Sequence, residues 1–307
     1  ARMAIIGAGP IGCELAQAFQ RLGTRVTLID IAERVLGQEE EEASRLVQRA
    51  LEQDGVELRL GHEVTSVRRQ GGEKQLLLKS GTGETTVTAD EILVAVGRTP
   101  NAEGLNLEAA GVERDSKGKL VVSESLQTSN DHIFASGDVA VPYQFTHVAD
   151  ATSRIVLQNA LFPGPNQKWT DLVIPWVTYT DPEVARVGRS RRALETASVR
   201  FHEWHVPLAS TDRGRTDGIE EGYLRLYTKA RSDEILGATI VGPHAGELVS
   251  QLTLAMTNGI GLKGIASTIY PYPTLSEAIK KVANEYTRSR FTPLLQRAAR
   301  WWFGVSR

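Results

Sequence analysis

Residues Gly7-Ala8-Gly9-Pro10-Ile11-Gly12 lie between a short apolar run, Met3 to Ile6, and a helical stretch from Cys13 to Leu22. A second apolar run, Arg25 to Ile29, follows and ends on the carboxylate of Asp30. Strand, glycine turn, helix, strand and terminal acid in that order make one unit of the length that a dinucleotide-binding fingerprint requires. The glycines serve separate ends. Gly7 permits the tight strand-to-helix turn, Gly9 lets backbone approach a pyrophosphate, and Gly12 lets helix and strand pack closely. The helix, entered through Pro10 and Ile11, aims its free N–H groups at the phosphates. The alternative is a glycine-rich turn in some other α/β domain. A carboxylate at Asp30 accepts from both hydroxyls of an adenosine ribose and repels a 2′-phosphate, so NAD is expected ahead of NADP. Arg34, four residues on, is in principle able to meet a 2′-phosphate.

A chain of 307 residues is long for one domain, and two or three compact units are expected. Hydrophobic residues make up 41% and the formal net charge is −2, so no global field exists to hold nucleic acid. The sequence has no apolar run long enough to span a bilayer and no signal peptide before the fingerprint, which points to the cytoplasm. Its single cysteine, Cys13, precludes an internal disulfide and reads as a small buried hydrophobe. His202 and His205 would face opposite sides of a strand, and no metal site is expected. Ala1-Arg2-Met3 leads straight into the first strand, as in the later part of a longer protein.

After Asp30, the acidic run Glu39 to Glu42 opens a helix through Gln53, where carboxylates suit the helix dipole and need no functional explanation. A strand over Val56 to Leu60 precedes three short runs, Glu63 to Arg69, Gln75 to Lys79 and Thr85 to Thr88. Gly71-Gly72 and Gly81-Thr82-Gly83 punctuate these as an antiparallel meander. Glu91 to Val96 reads as a buried strand ending at Gly97. Downstream, Ile133-Phe134-Ala135 reads as an apolar strand delivering Asp138 after Ser136-Gly137, where it can accept a hydroxyl from a sugar or ribitol chain. A plain helix cap is the alternative. Leu161 to Pro165 reads as a linker. Strands are expected at Val173 to Tyr179, Val199 to Val206, Tyr223 to Tyr227 and Ile235 to Val241, with helices over Gly246 to Asn258 and Thr274 to Thr287, an α+β unit.

Further ordered motifs extend the pattern: Val96-Gly97-Arg98-Thr99-Pro100-Asn101, Ser136-Gly137-Asp138, Tyr179-Thr180-Asp181-Pro182-Glu183-Val184-Ala185-Arg186-Val187-Gly188, Gly242-Pro243-His244-Ala245-Gly246-Glu247 and Pro273-Thr274-Leu275-Ser276-Glu277. With the fingerprint and Glu14, they resemble the pyridine nucleotide-disulfide oxidoreductases, flavoproteins that include dihydrolipoamide dehydrogenase, glutathione reductase and mercuric reductase. The resemblance implies an α/β chain: a Rossmann-like NAD(P)-binding domain (1–97), a partial FAD domain (98–165), an α+β dimerisation domain (166–290) and a tail (291–307). It implies a homodimer in which hydride passes from NADH through FAD to a small-molecule acceptor. A disulfide, a metal ion, a quinone and oxygen all remain open as that acceptor. The family's first FAD segment, with its redox-active cysteine pair, has no counterpart in residues 1–307. A nucleotide-binding and dimerising module without turnover is therefore the alternative reading.

By the same resemblance, Glu14 lies near the nicotinamide, and Gly97, Arg98, Gly137 and Asp138 line the FAD site with Asp138 on the ribitol. The helix opening at Phe145-Thr146-His147-Val148-Ala149 points its N-terminus at the flavin pyrimidine. His147 reads as anchored by backbone rather than catalytic. Disulfide reductases of the family place a histidine where this chain has Tyr272, paired with the glutamate matched by Glu277. Tyrosine, with an ordinary pKa of about 10, is a poor base at neutral pH, which sets this chain apart from ordinary dithiol exchange. Mercuric reductases carry a proline-tyrosine pair here that helps bind metal in the partner subunit's site; filling the dimer interface is the plainer role for Tyr270 and Tyr272. From Thr287 to Arg307 there are five arginines and no acid, with Leu294, Leu295, Ala298 and Trp302 on one helical face. Such a tail suits weak contact with an anionic membrane surface, or packing on its own dimer.

Overall fold

The computed structural model describes residues 1–291, 296–297 and 300–303. Strand β1 (Arg2–Ile6) runs into helix α1 (Pro10–Arg21) and returns as β2 (Arg25–Asp30); helix α2 (Glu41–Gln53) leads to β3 (Glu57–Leu60). The meander β4 (Glu63–Gln70), β5 (Glu73–Ser80) and β6 (Gly83–Ala89) then delivers β7 (Glu91–Val94). A parallel sheet of order β3-β2-β1-β7 results, with the antiparallel β4-β5-β6 sheet as a separate layer. Alternation along the strands assigns the two faces. Met3, Ile5, Val26 and Leu28 pack on the helix side with Cys13, Ala16, Leu46, Val47 and Leu51, whereas Ala4, Ile6 and Ile29 pack on the meander side with Leu76, Leu78, Val87 and Ala89.

The expected buried strand over Glu91 to Val96 is corrected in two respects. It ends at Val94, and Val94 and Val96 are 65% and 70% exposed. Pairing stops where β1 stops, at Ile6 opposite Val94, and β7 is the sheet's edge, so an apolar run alone did not establish burial.

Gly97–Ile174 forms a compact unit of its own. Before helix α3 (Thr146–Leu161) its backbone is mostly irregular, joined by isolated bridges such as Arg114 with Leu120 and Gln127 with Phe134. Here Ile133–Ala135 is not a strand. Its backbone pairs on one side only, with Thr128 N donating to Ile133 O at 2.9 Å and Ala135 N to Leu126 O at 3.0 Å. Asp138 sits instead in a 3₁₀ turn, Gly137–Val139. Nor does the unit end at Pro165: Trp169, Leu172 and Ile174 pack on Leu126, Val141, Val148 and Ile155, carrying it to Ile174.

The remaining strands, β8 (Pro175–Thr178), β9 (Glu183–Gly188), β10 (Phe201–Pro207), β11 (Tyr223–Lys229) and β12 (Ile235–Gly242), form an antiparallel sheet of order β10-β11-β12-β9-β8. Between them lie the short helices α4 (Arg191–Thr196) and α5 (Asp212–Thr216). Helix α6 (Ala245–Thr257) packs on β8, β9 and β12; α7 (Leu262–Ser267) precedes α8 (Glu277–Ser289), which packs on β10 and β11. Helix α8 buries Ala278, Ile279, Val282, Ala283 and Tyr286, the spacing of one helical face. Strand β9 is an addition to the expected set, although it fills the second half of the Tyr179-to-Gly188 motif.

This α+β part shares one compact unit with residues 1–96, and Val184, Tyr223 and Val241 join the core cluster of Ile5 and Leu28. The acidic run helps to explain why. Glu41 and Glu42 open α2, but Glu40 accepts from Arg225 at 2.8 Å and from Tyr227 Oη at 2.5 Å, while Arg225 also bonds Glu42. A run expected merely to suit a helix end therefore also binds the distant sheet. Of the expected tail face, Leu294, Leu295 and Ala298 lie outside the described residues; Trp302 is exposed.

Candidate functional site

Gly7 opens the turn after β1 with φ +107°, and a Cβ there would lie 2.5 Å from Ala95 O, just beyond β7. A Cβ on Gly12 would be driven into the Gly7 carbonyl, so glycine is required for α1 to begin this close to β1. Gly9 differs: none of the described residues lies within 4 Å of its Cβ position. It is the N-cap of α1, with Pro10 starting the helix and no side chain capping the first turn. Ile11 is 41% exposed beside it. The three glycines thus divide into two that the protein's own backbone fills and one facing open space.

Asp30 closes this turn from the tip of β2. Its Oδ2 accepts from Ala8 N at 2.5 Å and its Oδ1 from Ala32 N at 2.8 Å, fixing the carboxylate against the glycine loop with acceptor capacity left on each oxygen. Arg34 turns back on its own loop, donating to Gly37 O at 2.8 Å and to Glu39 O at 3.0 Å. One turn into α1, Glu14 Oε1 accepts from Tyr179 N at 2.8 Å, and Gln17 pairs with both the N–H and the carbonyl of Asp181. Gln17 is absent from the residues expected at the site, and nothing local marks it; its partner lies far downstream. Cys13 is fully buried, and burial pushes its thiol up to about 12, which leaves it inert.

In the unit 97–174, residues from separate motifs converge. Arg98 Nη1 donates to Asp138 Oδ2 at 3.2 Å and to Gln144 O at 3.0 Å, one residue after Gly97 in its positive-φ conformation. Gly137, at φ +72°, would place a Cβ 3.1 Å from that of Ala149, and its N–H donates to Thr152 Oγ1 at 3.0 Å. Ala149, Thr152 and Ser153 share one face of α3, so Ala149 and Thr152 receive the glycine turn together. Phe145, the N-cap of α3, stacks on His147 with ring centroids 5.3 Å apart, and Thr146 begins the helix. Thr152 and Gln144 are partners that sequence reasoning missed.

Tyr272 and Glu277 do not touch as a pair. Tyr272 Oη donates to Asp212 Oδ2 at 3.1 Å, Asp212 N donates to Glu277 Oε2 at 3.0 Å, and Lys281 lies 3.1 Å from Glu277 Oε1. The expected tyrosine–glutamate pair is therefore linked through Asp212, the residue at the start of α5. Its hydrogen bond and negative charge raise the Tyr272 phenol above its ordinary value, so this ring, 75% exposed, stays a hydrogen-bond donor. Among the described residues no group of histidine, cysteine, aspartate and glutamate is placed to hold a metal ion, and no helix is long and apolar enough to cross a membrane.

Comparison with known proteins bears on these features. The family profile described as pyridine nucleotide-disulphide oxidoreductase matches residues 1–153, and that of the same family's dimerisation domain matches residues 174–283. A dihydrolipoyl dehydrogenase of Thermus scotoductus is 36% identical over 284 residues, covering 92% of this chain and 61% of the relative. A mercuric reductase of Staphylococcus aureus is 35% identical over 283 residues, covering 92% of this chain and 51% of the relative. The crystal structure of LpdA from Mycobacterium tuberculosis superposes with a TM-score of 0.85 at 26% identity, covering 93% of this chain and 61% of that one. The chain thus spans between about half and three fifths of the length of these proteins. With both profiles in chain order and the fold in agreement, the chain belongs to the pyridine nucleotide-disulphide oxidoreductase family, whose members are flavoproteins that use a pyridine nucleotide.

Proposed function

We propose that this chain supplies the nucleotide-binding, returning FAD-binding and dimer-forming parts of an NADH-dependent flavoprotein oxidoreductase, acting as a homodimer in the cytoplasm. When bound, the flavin would supply the redox chemistry, two-electron transfer between NADH and a small acceptor such as a disulfide or a metal ion. The observation that carries the reading is the division of labour at the glycine turn: Gly7 and Gly12 are closed by backbone, Gly9 faces open space, and Asp30 is fixed beside it. A pyrophosphate would lie over Gly9 and the first turn of α1, formed by Pro10, Ile11 and Gly12, with the adenosine ribose on Asp30. Arg34, folded onto loop carbonyls, leaves a 2′-phosphate facing the Asp30 charge, which favours NADH.

The residues of the second cluster also suit a cofactor. Asp138, held by Arg98 beside Gly97 and Gly137, would accept a ribitol hydroxyl, and the start of α3 at Phe145, Thr146, His147 and Ala149 would face the flavin ring with its positive dipole end. Glu14 would border the nicotinamide while holding the Tyr179 backbone. Tyr272, through Asp212 and Glu277, would present a protonated phenol toward the acceptor of the other subunit, orienting it rather than removing its proton.

A second reading, favoured by Cys13 being the single cysteine of residues 1–307 and fully buried, is a nucleotide-binding, dimerising module without turnover of its own. One experiment separates them. The protein is incubated with FAD, freed of excess by gel filtration, and assayed for retained flavin and NADH-to-dye turnover. Retained flavin with turnover supports the oxidoreductase reading for this chain. NADH binding without either leaves the module reading.

A further inference from the structure

The loop between β2 and α2, residues 31–40, follows the ribose acid and is held from the opposite side by the antiparallel sheet. Glu39 is 7% exposed, and its carboxylate accepts from Trp176 Nε1 of β8 at 3.0 Å and from Arg186 Nη1 of β9 at 3.3 Å. The Arg186 guanidinium lies over the Trp176 ring, 4.8 Å from its centroid, and also reaches Gln38 O at 3.3 Å. At the loop's other end Leu36 N donates to Ala8 O at 2.8 Å, inside the glycine turn, and Ser44 Oγ donates to Val35 O at 2.5 Å. Burying a carboxylate this deeply is costly unless it is paired, and Glu39 does not cap α2, whose N-cap is Glu40. What the buried pair fixes is the backbone of Gly37 to Glu39, and those carbonyls are the ones that take the Arg34 guanidinium.

We propose that Glu39, clasped by Trp176 and Arg186, is a positioning residue for nucleotide specificity. It presents the loop carbonyls that keep Arg34 turned inward, so a 2′-phosphate meets the Asp30 carboxylate with no cation to offset it. Discrimination then comes from withholding a favourable partner from the wrong nucleotide as much as from binding the right one. A released guanidinium four residues from the ribose acid is suited to a phosphate, which it grips with two parallel hydrogen bonds. This inference rests on the reading of Gly7 to Asp30 as an NADH site.

The test is the affinity of NADH and NADPH, read by nicotinamide fluorescence, for the unsubstituted protein, Glu39→Gln, Trp176→Phe and each combined with Arg34→Met. Thermal unfolding is followed in parallel. Opening the clasp narrows the preference for NADH roughly tenfold, mainly through tighter NADPH, and Arg34→Met in the same chain restores it. If Glu39→Gln does not fold, Trp176→Phe gives the same readout. Equal weakening of both nucleotides, or narrowing that persists with Arg34→Met, overturns the proposal and leaves Glu39 a structural residue. An unsubstituted protein that binds neither nucleotide, or prefers NADPH, removes the underlying NADH reading before any variant is compared.

Discussion

Asp30 and Asp138 each stand beside a glycine-bearing turn, yet they are held by different means. Asp30 ends a strand flanked by β1 and β3 and is fixed by two backbone N–H groups, those of Ala8 and Ala32. Asp138 lies in a 3₁₀ turn, and its bond across the fold comes from the flexible Arg98 side chain, with 49% and 42% of the two side chains exposed. Backbone donors set by a sheet cannot swing away, whereas an exposed ion pair contributes little and yields to salt. The first acid is preorganised by backbone of its own elements; the second is held by an exposed side chain.

Substitutions test this contrast, and the largest effect belongs to the turn that is closed by backbone. Gly12→Ala forces a methyl into the Gly7 carbonyl and lowers unfolding free energy by about 3 kcal/mol, measured by urea denaturation. Asp30→Asn leaves one of two N–H donors without an acceptor and costs about 2 kcal/mol, together with the proposed preference for NADH over NADPH. Gly137→Ala costs about 1–2 kcal/mol, because its positive φ is unfavourable for a side chain while its neighbour Ala149 is small. Arg98→Met changes stability by less than about 1 kcal/mol, and flavin retention is its sensitive readout. A larger loss for Arg98→Met than for Asp30→Asn would reverse the comparison.

Cys13 sharpens it by pH. Burial raises its thiol from an ordinary 9.0 to about 12, so the folded chain keeps a proton that the unfolded chain releases. The stability this contributes is present below pH 9 and is lost as pH rises toward 12. A thiol reagent at pH 8 therefore reacts with Cys13 only after denaturation; fast reaction in the native protein would contradict the packing of α1 on the sheet.

The same contrast explains what the sequence disclosed. Between Met3 and Asp30 every signal is local: a two-residue period, glycines at fixed offsets and a helix start with proline. The meander was equally readable, since Gly71-Gly72 and Gly81 to Gly83 mark its turns. Non-local facts were not. Ile133–Ala135 has the composition of a strand but pairs on one side only, and β9 is a six-residue strand whose neighbours β8 and β12 alone identify it. The run Glu39 to Glu42 reads as a helix start and nothing more because its partners Trp176, Arg186 and Arg225 lie more than a hundred residues downstream. Tyr272 and Glu277 stand five residues apart in the sequence, but Asp212, which joins them, sits on a helix that no periodicity announced.

Calorimetric titration of NADH into the unsubstituted protein and Gly9→Ala, with unfolding measured on both, tests the account most directly. None of the described residues lies within 4 Å of the Gly9 Cβ position, so the account predicts unchanged stability, within about 0.5 kcal/mol, and affinity reduced tenfold or more. Equal affinity in the two proteins, or no binding to either, would contradict a nucleotide site at this turn.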